Sequence, residues 1–82
     1  MTEFELTSHM KDMLTERNIL QEWLSLTIKD PERTQIGEDG NIHYFRAIEE
    51  RDDRILHVVV NEDAQPMRVI TAFFDRRLRK KI

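Results

Sequence analysis

Thr34-Gln35-Ile36-Gly37-Glu38-Asp39-Gly40-Asn41-Ile42-His43-Tyr44-Phe45-Arg46-Ala47-Ile48 is the stretch that decides the fold. Two β-prone segments, Thr34 to Gly37 and Ile42 to Ile48, flank Glu38-Asp39-Gly40-Asn41, and the Asp-Gly step supplies the positive φ that a tight hairpin needs. Downstream, Glu49 to Asp53 reads as a charged connection and Arg54 to Asn61 as a strand. The latter is so continuously apolar that a central position covered on both faces is expected. Glu62 to Pro66 turns the chain, and Met67 to Phe74 supplies a last strand.

Upstream of the hairpin the apolar period is that of a helix. Leu20, Trp23, Leu24, Thr27 and Ile28 follow i, i+3, i+4, i+7, i+8 spacing, and Asp30-Pro31 stops the pattern because the residue before proline is driven out of the α region. A shorter helix, capped by Thr7 or Ser8, runs to about Arg17 with Met10, Met13, Leu14 and Arg17 along one side. Asn18 suits its left-handed exit. The order α-α-β-β-β-β with hairpin-length links predicts an α+β domain. Two N-terminal helices pack on one face of an antiparallel sheet of about four strands.

A chain of 82 residues holds one small core and excludes a large enzyme fold. The absence of Cys removes disulfides, thiol catalysis and cysteine-based zinc sites. No run of apolar residues is long enough for a membrane span and the start lacks a secretory pattern, so a cytoplasmic protein without membrane contact is expected. The net charge of −3 is unevenly spread. Arg76, Arg77, Arg79, Lys80 and Lys81 give residues 76–82 a charge of +5, leaving eight basic against 16 acidic residues, or −8, for residues 1–75. The division is therefore a domain over 1–75 and a basic tail over 76–82 that is a candidate nucleic-acid-binding or partner-docking strip.

Alternation sorts each strand into two faces. His43, Phe45, Ala47, Leu56, Val58, Val60, Ile70, Ala72 and Phe74 form the better core set, so the helices are expected against them. Ile42, Tyr44, Arg46, Ile48, Ile55, His57, Val59, Val69, Thr71 and Phe73 then form the opposite face, on which Tyr44, Arg46, His57 and Thr71 bring together a phenol, a cation, an imidazole and a hydroxyl. Those groups suit metal-independent cleavage of RNA through its 2′-OH. That reaction needs a base, an acid and donors around the charged phosphorane. His57 or His9 would exchange protons near neutral pH, Arg46 would hold phosphate and Tyr44 would donate or stack. The bland alternative is that each of these side chains only packs or caps. His9, His43 and His57 show no metal-ligand spacing, so no metal and no cofactor is expected, and Gly37 and Gly40 belong to the hairpin rather than to a phosphate loop.

The segment His9-Met10-Lys11-Asp12-Met13-Leu14-Thr15-Glu16-Arg17-Asn18-Ile19 resembles the opening H-A-x-x-R-M-x-x-R-G-I of a family of small prokaryotic proteins known as a domain of unknown function. That family is similar to the BrnT and RelE-like toxins. Pro31, the Tyr44-x-Arg46 strand, the Ile55 to Val60 strand and Val69-Ile70-Thr71-Ala72-Phe73, which resembles a closing V-V-T-V-Y, extend the match over about residues 6–74. The resemblance implies a RelE/BrnT-like fold and, in toxin members, an RNA-cleaving face. His9, Arg17 and Thr71 match the family's helix-opening His, second Arg and strand-end Thr, whereas Met13 stands where the family has its first Arg and Asn18 where it has Gly. The expectation is a toxin-like endoribonuclease with RNA as substrate and an antitoxin as partner, with His9, Arg17, Tyr44, Arg46, His57 and Thr71 as candidate catalytic residues. A non-catalytic protein- or nucleic-acid-binding module is the alternative, and an antitoxin-like inhibitor ranks below both. The sequence leaves the oligomeric state open.

Overall fold

The structure, a computed structural model, describes residues 4–79. Its elements are β1 (Phe4–Glu5), α1 (Ser8–Glu16), α2 (Gln21–Lys29), β2 (Arg33–Ile36), β3 (Ile42–Ile48), β4 (Arg54–Asn61) and β5 (Met67–Arg79), with a single 3-10 turn over Glu49–Arg51. The strands form one sheet in the order β1-β5-β4-β3-β2.

Local chemistry sets the helix ends. The Thr7 hydroxyl accepts from the Met10 N–H at 3.2 Å, satisfying one of the donors that a helix start leaves free. Asn18 takes φ 57°, and the Ile19 N–H returns to the Leu14 carbonyl at 2.8 Å, the backbone closure that a left-handed exit allows. Asp30 ends α2 before Pro31, and the Arg46 guanidinium caps it by donating to the Asp30 carbonyl at 2.6 Å and to its carboxylate at 3.3 Å. The buried residues of α1 and α2, Met10, Leu14, Trp23, Leu24, Thr27 and Ile28, face the sheet. Except for Thr27 they join Tyr44, Ile48, Leu56, Val58, Val60, Val69 and Ala72 in one apolar cluster, so both helices lie on a single face.

Four features differ from the sequence reading. The sheet has five strands and is mixed, because β1 pairs parallel to β5 through Phe4 and Glu5 opposite Met67 and Arg68. A two-residue strand is too short to show a period. The faces of β3 are reversed, since Tyr44 lies opposite Val58 and Arg46 opposite Leu56, on the helix side, while Phe45 lies opposite His57. Tyr44 and Arg46 bury their apolar stems and send their polar tips to Glu62 at 2.6 Å and to Asp30. Ile70 is an extra residue, because Val59 pairs with Thr71 but Val60 with Val69; Ile70 is consequently exposed and Val69 joins the core. Finally, β5 continues past Phe74 to Arg79, so Arg76, Arg77 and Arg79 belong to the sheet; Lys80 and Lys81 lie outside the described residues.

Leu24 and Leu56 are fully buried between the helices and the sheet, whereas Ile36 on the edge strand β2 is 74% exposed. Leu24→Ala and Leu56→Ala should each cost about 2–5 kcal/mol in urea unfolding, and Ile36→Ala should stay within about 0.5 kcal/mol of the wild type.

Candidate functional site

The cross-strand row Arg33, Phe45, His57, Phe73 occupies the sheet face away from the helices. The Arg33 guanidinium sits 5.0 Å over the Phe45 ring, and the His57 ring lies between Phe45 and Phe73 with centroids at 4.3 and 4.8 Å. His43 enters from the neighbouring row, its ring centroid 4.9 Å from that of His57. A cavity of about 260 Å³ opens here, and Arg33, Gln35, His43, His57, Asp75 and Arg77 supply its polar lining.

An irregularity in β5 supplies the carboxylate. Arg54 pairs with Arg79 and Leu56 with Phe74, so the residues from Asp75 to Leu78 face Ile55 alone and the strand must buckle. Asp75 fastens the buckle: its Oδ1 accepts from the Arg77 N–H at 3.0 Å and from Arg77 Nε at 3.1 Å, and its Oδ2 accepts from a terminal guanidinium nitrogen at 3.0 Å. The same Oδ2 lies 3.1 Å from His57 Nδ1, and His57 Nε2 lies 2.7 Å from His43 Nδ1.

Electrostatics assigns the protons. The Arg77 guanidinium, helped by the His57 contact and opposed by burial, holds the Asp75 carboxyl down at about 2, so Asp75 is an acceptor. Burial lowers His57 below the usual imidazole range, against the pull of Asp75. His57 is therefore neutral near pH 7, with Nδ1–H donating to Asp75 and Nε2 accepting from His43 Nδ1–H. This leaves His43 Nε2 as the open proton position of the pair. That atom is buried beneath the β2–β3 turn, 3.5 Å from Asp39 Oδ1, with Gly37 so close that a Cβ there would lie 2.5 Å from it. Chemically the arrangement is an imidazole pair oriented by a carboxylate and fringed by two guanidinium groups, suited to moving protons beside an anion.

The residues expected to share a site are dispersed over three places. His57 is in the cavity. Tyr44 and Arg46 are on the helix side, where burial and the Glu62 contact raise the Tyr44 phenol to about 12 and Arg46 closes α2. His9 is exposed on α1, and Arg17 reaches from the end of α1 to the outer edge of β5, donating to the Ala72 carbonyl at 2.7 Å and to the Thr71 hydroxyl at 3.5 Å. Arg17 and Thr71 thus meet, as a structural tie at that edge. Arg76 and Arg77 are exposed at the end of β5, and Arg77 also borders the cavity. His43, Asp75, Arg33 and Asp39 were not among the expected site residues, because their convergence depends on the β3 register and on the buckle in β5. An acid directly between a strand and a basic run was the one legible signal for Asp75.

Among the described residues no cluster of three or more His, Cys, Asp or Glu could hold a metal ion, and no helix is long and apolar enough to cross a membrane. A family model described as Domain of unknown function (DUF4258) matches residues 6–74. No curated protein and no solved structure matches the chain.

Because its folded-state value is depressed, Asp75 contributes stability above the ordinary carboxyl range, and that contribution is lost as pH falls from about 4 toward about 2. Asp75→Asn should lower the melting temperature at pH 7 and narrow its gap from the wild type through that acid window. Calorimetry at stepped pH reads both.

Proposed function

Taking as premise that the chain belongs to the DUF4258 family, a domain of unknown function, we propose that it is a metal-independent endoribonuclease working on the open face of its sheet. The observation that carries this reading is the aligned Asp75, His57, His43 series in a cavity bordered by Arg33 and Arg77. His43 Nε2 takes the proton of the 2′-OH as its oxygen bonds to phosphorus, His57, fixed in one tautomer by Asp75, stabilises the imidazolium that forms, and that imidazolium returns the proton to the 5′-oxygen as the P–O5′ bond breaks, leaving a 2′,3′-cyclic phosphate. Arg33 neutralises the phosphorane, and Phe73 or Phe45 offers a ring against which a base stacks. The 2′-OH reaches Nε2 when the Gly37 to Asn41 turn moves aside.

The resemblance of His9 to Ile19 and of Val69 to Phe73 to that family's motifs, together with the likeness of the family to the BrnT and RelE-like toxins, supports the same reading, and with it a cytoplasmic protein neutralised by an antitoxin. A second reading, a non-catalytic binding module, is favoured by one observation, the burial of His43 Nε2.

The full chain should cut single-stranded RNA in the presence of EDTA. His43→Gln and His57→Gln should each slow cleavage by about 10²–10⁴, and Arg33→Ala by about 10²–10³, each with folding checked by circular dichroism. His9→Ala, on exposed helix surface, should keep the wild-type rate. Wild-type protein that binds RNA yet leaves it intact, with and without ribosomes, establishes the binding module instead.

A further inference from the structure

Four ionisable groups stand in a row across the open face, from the β2–β3 turn to the buckle of β5. Asp39 Oδ1 lies 3.5 Å from His43 Nε2, His43 Nδ1 lies 2.7 Å from His57 Nε2, and His57 Nδ1 lies 3.1 Å from Asp75 Oδ2. Three contacts between acceptors need three protons, and two neutral imidazoles carry two. The contact left over is the one at the turn. With His43 neutral, a nitrogen lone pair faces a carboxylate oxygen there, and Nε2 is buried without a hydrogen bond. One added proton turns the same contact into a charge-assisted attraction.

We propose that this row is a one-proton latch, in which protonation at His43 Nε2 clamps the Gly37 to Asn41 turn over the cavity and its loss frees the turn. The other charged groups bordering the cavity are not acceptors for that proton. Arg33 donates to Gln35 at 3.0 Å while stacking on Phe45, and Arg77 is held by Asp75. Among the described residues Asp39 is the carboxylate within salt-bridge distance of His43. The turn itself is lightly tied: the Gly37 N–H reaches the Asn41 carbonyl at 2.9 Å, the Gly40 N–H reaches the Gly37 carbonyl at 3.0 Å, and the Asn41 N–H reaches Asp39 Oδ1 at 3.0 Å. All three bonds lie within the turn, so it can move as a unit. Gly37 explains how the seat is so close, since a Cβ there would lie 2.5 Å from His43 Nε2 and 2.7 Å from Asp39 Oδ1.

The latch concerns the cavity lined by His43, His57 and Asp75 but does not rest on its cleaving RNA, and its test involves no cleavage. Backbone amide and imidazole resonances of the full chain are followed by NMR between about pH 5 and 8. In the wild type the amides of Gly37, Gly40 and Asn41 should shift together, with the midpoint of the His43 ring. Asp39→Asn keeps the acceptor for the Asn41 N–H and changes an exposed turn residue, so the fold is retained; the turn amides should lose their transition. Gly37→Ala should hold them at their high-pH positions throughout. Turn amides that stay still while His43 titrates, a His43 that does not titrate in this range, or an unchanged transition in Asp39→Asn would each overturn the latch.

Discussion

The carboxylate of Asp75 is the constraint on which the open face depends. It is 5% exposed, and a buried carboxylate without compensating donors would be strongly destabilising. Its donors are the Arg77 backbone N–H, the Arg77 guanidinium and His57 Nδ1. Each of these fixes something else. The backbone donor sets the shape of the β5 buckle, the guanidinium brings a cation to the rim, and the imidazole donor decides the tautomer of His57 and thereby the direction of the His43 hydrogen bond. Without Asp75, His57 would be an imidazole between two phenylalanine rings with no fixed proton.

Helix chemistry and the hairpin were legible because their signals are local. Thr7, Asn18, Asp30-Pro31 and Asp39-Gly40 act within a few residues of themselves, and the caps, stop and turn stand where those residues place them. β4 was legible as a central strand from its near-continuous apolar run, but the cover expected on both faces is met on one, with Leu56, Val58 and Val60 against the helices and His57 and Val59 away from them. A continuous helix face and a central strand leave little choice of side.

The face of β3 was not legible, and the reason lies in amphipathic side chains. Both alternation sets carry large apolar groups, so counting hydrophobes favours neither decisively. What settles it is where polar tips can end. Tyr44 and Arg46 are long enough to pass the core and reach Glu62 and Asp30 at its margins, while the short, ring-bound nitrogens of His43 have no such reach and find partners on the opposite face. The reversal removed Tyr44 and Arg46 from the candidate site and brought in His43. Likewise, the reach of β5 through the basic run was hidden because Arg and Lys are poor markers of a strand, although a carboxylate seated in a buckle can carry the pairing on to Arg79.

The distinction between site and scaffold follows from what each polar group costs. Arg46 and Tyr44 meet fixed acceptors at the edge of the core, and their polar tips close a helix end and tie down the chain after β4. The imidazole pair has no comparable structural task. It places one imidazole between Phe45 and Phe73, with a second imidazole and a charged carboxylate bonded to its two nitrogens, at a position where apolar residues of similar volume would hold the sheet as well or better, since burying charge costs desolvation that close pairing only partly offsets. A small domain has little stability to spare for such a group. Mutually oriented titratable side chains lining a cavity, kept at that cost, are the pattern by which function departs from packing; among the described residues the Asp75, His57 and His43 series fits it, whereas the perturbed Tyr44 phenol on the helix side is accounted for by its tie to Glu62.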